Sequence, residues 1–233
     1  MTKIANKTFD VVKDIQNKII NRVLKPGDKL LPLREMAIQY DTSRSVINSA
    51  IHILSTKGYL EVNPRHYVQV NDFLYSGSLD IVKDIYKESI GELRSKTIKE
   101  VLKIRLFAEL DAIKQIIDNK KPINILENIL EREQKYIENS VFEIEDIVKL
   151  DCEFHENLVG CSDNSVLFLL YMSFKDIELD LVKRFYYSRT KFTNVIKIHN
   201  ELLQALISED KAKALLIWTD LLKKGEKIVL SEL

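Results

Sequence analysis

The sequence predicts a mostly α protein in two parts, a small N-terminal unit of helices with one β-hairpin and then an all-helical unit. Three observations carry this. Only six glycines and four prolines punctuate 233 residues, so long helices are expected. Apolar residues recur at helical spacing through nearly all of the chain after residue 78. Alternation of β-branched and aromatic residues is confined to residues 59–70. The length suits one large domain or two ordinary ones, and 45% hydrophobic content allows a sizeable core.

Phe9, Val12, Ile15, Ile19 and Val23 predict a first helix over residues 4–24. "KPGD" at 25–28 stops it, because proline cannot continue a helix and glycine favours a turn. A short helix over 33–40 follows, and Asp41-Thr42 breaks the chain before a helix over 43–57. In that helix Val46, Ile47, Ala50, Ile51 and Leu54 line one side, and Arg44, Ser45, Asn48, Ser49 and His52 the other. Thr42 or Ser43 suits its N-cap, and Gly58 its C-terminal end. "YLEV" and "HYVQV", joined by "NPR", read as a hairpin. "NDFLYSGS" at 71–78 reads as a linker, which gives a first domain over 1–72, a linker at 73–78 and a helical domain over 79–233. Helices are expected over 79–89, 92–119, 123–137, 144–160, 166–187, 192–207 and 211–230.

Charge sharpens the division. The 35 basic and 35 acidic residues cancel overall, but residues 1–70 hold 11 Lys and Arg against 6 Asp and Glu, a net +5. The remainder is −5. A basic N-terminal unit is a hint of nucleic-acid contact. No apolar run reaches the ~18 residues of a membrane span, and no export signal is visible. Cys152 and Cys161 have no metal-type spacing, so a reducing, cytoplasmic setting is expected.

Helix, helix, turn, helix, hairpin is the order of a winged helix-turn-helix, whose third helix enters the major groove of double-stranded DNA. Arg44 is placed to reach guanine, and Ser43, Ser45 and Asn48 suit phosphates or bases. Arg65 and His66 stand at the hairpin tip. In the helical part, Asp151 and His155 share a helix face at i and i+4, His199 lies on a later helix, and Arg105 interrupts an apolar helix one turn before Glu109. A carboxylate and two imidazoles from two helices could hold a divalent metal with positions left open for a ligand. The plain alternative is a surface hydrogen bond for Asp151 and His155 and an ion pair for Arg105. No glycine-rich phosphate loop, Gly-x-Ser-x-Gly or Cys/His nucleophile pattern is present, so no enzyme is expected.

"KPGDKLLPLREMAIQYDTSRSVINSAIHILSTKGYLEV" resembles the DNA-binding domain of the GntR superfamily of bacterial transcription regulators. The matching elements are Pro26-Gly27, Leu31-Pro32, Arg34-Glu35-Met36-Ala37, Ser43-Arg44 and Leu54 with Gly58. The resemblance implies DNA contacts by Arg34, Thr42, Ser43, Arg44, Ser45 and Asn48, with the wing tip at Arg65 and His66. It also marks departures: Asp41 stands where the family has glycine, Asn48 where it has arginine, and Pro64-Arg65 at a tip that usually carries glycine. The rest of the chain is similar to the FCD helical domain of the FadR branch, through Arg105 with Glu109, Asp151 with His155 and Asn164, and His199 with Asp210 and Ala214. This implies a homodimer with an effector pocket near Arg105, Asp151, His155, Tyr186 and His199, and a Zn or Ni site at Asp151, His155 and His199. A fourth family histidine falls at Leu221, beside Asp220. "VNDF" and "RFYYSR" resemble the acyl-CoA-binding branch instead; Tyr186 and Tyr187 read equally well as core or interface aromatics.

The expectation is a ligand-responsive regulator, a repressor released by an organic acid or acyl-CoA, on a palindromic operator. The alternatives are a helical metabolite or metal sensor acting through a protein partner, and a metal-dependent hydrolase, for which no water-activating base stands out.

Overall fold

The computed structural model describes residues 3–64, 66–138, 142–186 and 189–231. They form two compact units, residues 1–94 and 95–233.

In the first unit, α1 (Lys3–Ile20) lies against α3 (Arg44–Thr56), with α2 (Leu33–Gln39) packed on α3. Val11, Val12, Ile15, Ile19 and Ile20 of α1 meet Val46, Ile47, Ala50, Ile51 and Leu54 of α3 in one core. Full burial of each Val, Ile or Leu among them contributes roughly 1.5–3 kcal/mol. α1 ends at Ile20, earlier than its spacing predicts, because Arg22 turns left-handed at φ 59° and Leu24 N–H returns to the Lys18 carbonyl at 3.0 Å. Val23 is therefore exposed. Ser43 is the N-cap of α3, its Oγ accepting from Val46 N–H at 3.3 Å.

The wing is antiparallel, β1 (Leu60–Asn63) pairing with β2 (Tyr67–Val70) from Leu60↔Val70 to Asn63↔Tyr67. Residues 27–30 run beside β2, with Leu30 N–H on the Val68 carbonyl and Gly27 N–H on that of Val70, both at 2.9 Å. Gly58 joins α3 to the wing at φ 88°, and a Cβ there would meet the Ser76 carbonyl oxygen at 2.2 Å. Its own carbonyl accepts from Ser76 Oγ at 2.9 Å.

The stretch expected as a linker folds onto this unit. Asp72 caps a helical turn, α4 (Phe73–Ser76), and Phe73 is buried. α5 (Asp80–Glu88) adds Ile81 and Ile85 to the same core, and Asp84 accepts from Lys57 Nζ at 2.9 Å and Tyr59 Oη at 3.1 Å.

The second unit is helical throughout its described residues, built from α6 (Gly91–Asp118), α7 (Asn124–Glu138), α8 (Ile144–Gly160), α9 (Ser165–Met172), α10 (Lys175–Phe185), α11 (Arg189–Ile207) and α12 (Lys211–Leu230). α8 is central, packing on α7, α9 and α10. One helix is expected over 166–187, and two are found. Ser173 N–H is shared between the Leu169 and Leu170 carbonyls, and Ser173 Oγ donates to the Leu170 carbonyl at 2.6 Å. The tightened turn ends α9 and lets Phe174 into the interior. Among the described residues no helix is long and apolar enough to cross a membrane.

Candidate functional site

In the first unit Asp41 turns the chain into α3 with φ 44°, supplying without glycine the left-handed residue the turn needs. Arg34, Ser43, Arg44, Ser45, Asn48 and His66 are exposed and Thr42 is half-buried. Arg34, Thr42, Ser43 and Arg44 line one open groove with Ile38 and Asp41. The structure thus brings Arg34, Thr42, Ser43 and Arg44 together in one groove, and Ser45 and Asn48 are exposed farther along α3. Ser43 also spends an oxygen lone pair on capping its own helix. Arg65 lies outside the described residues.

In the second unit Asp151 and His155 of α8 and His199 of α11 converge, one ligand-type atom from each lying within 4.8 Å of the others. All three side chains are buried, which excludes the surface hydrogen-bond reading. The imidazoles are held from behind. His155 Nδ1 lies 2.7 Å from Glu109 Oε2, and His199 Nδ1 lies 2.9 Å from Glu133 Oε2. The carboxylates fix the protons on Nδ1 and turn each Nε2 inward, to 3.9 Å and 3.8 Å from Asp151. His199 Nε2 is buried with no hydrogen-bond partner. Phe154 stacks on the His199 ring at 3.9 Å and 7°.

Two inward lone pairs, a carboxylate between them and a carboxylate behind each imidazole fit a divalent metal. Leu221, where the resemblance would place a further histidine, is an apolar wall of the cavity in front of the site. That cavity is also lined by Arg105, Asp151, His155, Phe185 and Val195.

Electrostatics separates the roles. Burial pushes the Glu109 carboxyl up, but His155 and Arg105 outweigh it and hold its pKa at about 2. Arg105 Nε donates to Glu109 at 2.8 Å and lies 3.3 Å from Glu178. Burial opposes its charge, and Glu178 and Glu109 hold it charged. Trp218 Nε1 donates to Glu109 at 2.6 Å. Tyr171 Oη lies 3.1 Å from Glu109 and 2.5 Å from Glu178. A phenol has one proton, so both contacts are satisfied when Glu178 carries one too, the direction in which burial pushes it. Burial pushes His199 down, but Glu133 and Asp151 hold it above the ordinary imidazole value.

Tyr186 is buried against Phe185 and Phe192, and its hydroxyl donates to Asp151 at 2.7 Å. It orients the carboxylate from behind, and Phe185 takes the cavity wall. Tyr187 lies outside the described residues. Sequence reasoning missed Glu133, Tyr171, Glu178 and Trp218. Glu133 had a signal: it continues the apolar stripe of Leu126, Ile129 and Leu130 at helical spacing, a core position with a carboxylate in it.

A family model described as bacterial regulatory proteins, gntR family, matches residues 7–70, and one for the FCD domain matches residues 100–224. No curated protein matches the chain. Among solved structures it is similar to Lar, which controls the expression of the Listeria monocytogenes agr system and mediates virulence. That pair has TM-score 0.60 and 14% identity over 98% of this chain and 97% of the other. It is also similar to E. coli McbR/YncC, at TM-score 0.51 and 19% identity over 100% and 99%. A GntR transcriptional regulator of Rhodococcus sp. RHA1 gives TM-score 0.52 and 15% identity over 97% and 98%. These identities speak for the fold alone.

Proposed function

Since the chain belongs to the gntR family of bacterial regulatory proteins and carries an FCD effector domain, and is therefore a transcriptional regulator and not an enzyme, we propose that it is a homodimeric repressor released by a small organic acid bound in the second unit beside a divalent metal. Two first units would read the halves of a palindromic operator, through Arg34, Thr42, Ser43, Arg44, Ser45 and Asn48, with the wing tip, Arg65 and His66, at the adjacent minor groove. Asp151, His155 and His199 would hold the metal, Zn or Ni, with Glu109 and Glu133 fixing the imidazoles. A bound divalent ion supplies a positive anchor for an effector carboxylate, and Arg105 faces the same cavity as a second cation.

The observation that carries this reading is the orphaned Nε2 of His199, sealed in the interior and aimed at Asp151. A buried imidazole nitrogen without a partner is costly, and a metal removes that cost. Arg105 on the wall of the cavity supports an acidic effector. Dimerisation through the second unit is supported by exposed Ile104 and Phe107 on α6 and Val166 and Leu169 on α9, four large apolar side chains facing solvent.

The test is elemental analysis of protein purified without chelator, followed by thermal melts with sugar acids, dicarboxylates and acyl-CoAs. Stoichiometric metal, stabilisation by one class of small acid and weaker operator binding in its presence are expected. Protein that holds no metal and gains no stability from added Zn or Ni would overturn the metal-anchored reading.

A further inference from the structure

The turn into α3 carries a carboxylate where a DNA-reading surface is least tolerant of one. The turn does not need that side chain, because the backbone holds it. Asp41 N–H bonds the Ile38 carbonyl at 3.1 Å, Thr42 N–H bonds that of Ala37 at 2.9 Å, and Lys7 Nζ donates to the Asp41 carbonyl. The carboxylate itself is fully exposed, with Lys7 Nζ at 3.6 Å as its cation. An ion pair so exposed contributes little and leaves the oxygens available.

Asp41 lines the same groove as Arg34, Thr42, Ser43 and Arg44. Any duplex engaging those residues brings its base edges or phosphates to this carboxylate. Phosphates repel it. In the major groove thymine offers it only the O4 acceptor, and guanine the O6 and N7 acceptors. Adenine offers the N6 amino group with the N7 acceptor beside it, which a carboxylate cannot match. Cytosine offers an N4 amino donor with no acceptor beside it on its own edge.

We propose that Asp41 is a base-selecting residue that accepts a hydrogen bond from the N4 amino group of a cytosine at one position of each half-site. The inference rests on reading the first unit as the DNA-binding head. The carboxylate lowers affinity for DNA in general and restores it only where cytosine is presented, so its effect is on the ratio of specific to non-specific binding.

The experiment is selection from randomised duplexes with the full chain and its Asp41→Asn and Asp41→Gly variants, with fluorescence anisotropy on the selected and scrambled sequences. Asparagine and glycine both tolerate φ 44°, so both variants keep the turn. For the unsubstituted chain, replacing the cytosine should weaken binding by roughly 5- to 150-fold. Asp41→Asn should move the preference at that position to adenine, whose N6 and N7 an amide matches. Asp41→Gly should erase the preference and bind scrambled DNA severalfold more tightly. Identical base profiles for the three proteins would overturn the proposal, as would a uniform gain in affinity with no change in profile. Absence of salt-dependent binding by the unsubstituted chain would bring down the underlying reading with it.

Discussion

Replacing Glu133 with glutamine removes the charge behind His199 and leaves an acceptor of the same shape in place. Both carboxylate oxygens reach His199 Nδ1, at 2.9 and 3.1 Å, and neither side chain is exposed to solvent. The amide oxygen can still accept a hydrogen bond from Nδ1–H, so the ring keeps its orientation and only its basicity falls. Loss of a carboxylate behind a metal-binding imidazole weakens metal affinity by about 10- to 100-fold, or about 1.4–2.7 kcal/mol. At a metal concentration about 100 times the original Kd, the linked stabilisation falls from about 2.7 to about 1.4 kcal/mol for a tenfold loss. In a unit of this size that is a drop of roughly 4 °C in the metal-induced Tm shift. Competition with a chromophoric chelator gives the affinity directly. Trp218, the only tryptophan, has its ring centre 4.8 Å from that of His155 and serves as an optical reporter of Ni binding. Unchanged affinity in Glu133→Gln, with the fold intact, would refute the claim that Glu133 prepares His199 as a ligand.

Three further outcomes follow from the first unit. Arg44→Ala should cost about 1–3 kcal/mol on the selected operator and relax base preference at one position per half-site, measured by anisotropy; an unchanged preference would remove Arg44 from the reading surface. Gly58→Ala should destabilise on the order of 3 kcal/mol in urea unfolding, because the new Cβ meets backbone at 2.2 Å. Gly27→Ala, where the nearest atom is the flexible Gln69 amide at 3.6 Å, should lose only the ~1–2 kcal/mol of the left-handed backbone; equal losses would contradict the close approach. Asp14 accepts from Lys18 and Tyr40, which outweigh burial and hold its carboxyl below the usual range. Its stabilisation is therefore present above the unfolded carboxylate pKa and lost as pH falls through the lower folded value. Asp14→Asn should flatten that acid limb in melts between about pH 2 and 5, by under ~1 kcal/mol at this exposure.

The fold was legible wherever one local period governed a segment. α3 was readable because its apolar and polar residues separate cleanly at helical spacing and Ser43 and Gly58 mark its ends. The α9–α10 break was not, because it depends on a serine hydroxyl capturing a carbonyl inside an otherwise continuous helical pattern. Asp151, His155 and His199 were visible as residue types, and their convergence follows from α8 and α11 meeting in one core. The carboxylates behind them were hidden for a different reason. Glu109 reads as the i+4 partner of Arg105, but it also collects His155 and Trp218, 46 and 109 residues away. No window of sequence contains those contacts. Tyr186 reads from the sequence equally well as a pocket or a core residue, and packing sets its ring in the core with its hydroxyl on Asp151, which lines the cavity.

Gly58 has a mechanical meaning. Its missing methyl lets the Ser76 carbonyl seat against the end of α3, and its own carbonyl grips the Ser76 hydroxyl. The segment that leads into α5 is thereby pinned to the C-terminal end of α3, while Lys7 tethers the turn at the other end. α3 is thus tied at both ends within the first unit, and a tilt of the helix has to break the Ser76 contact at one end or the Lys7 contact at the other.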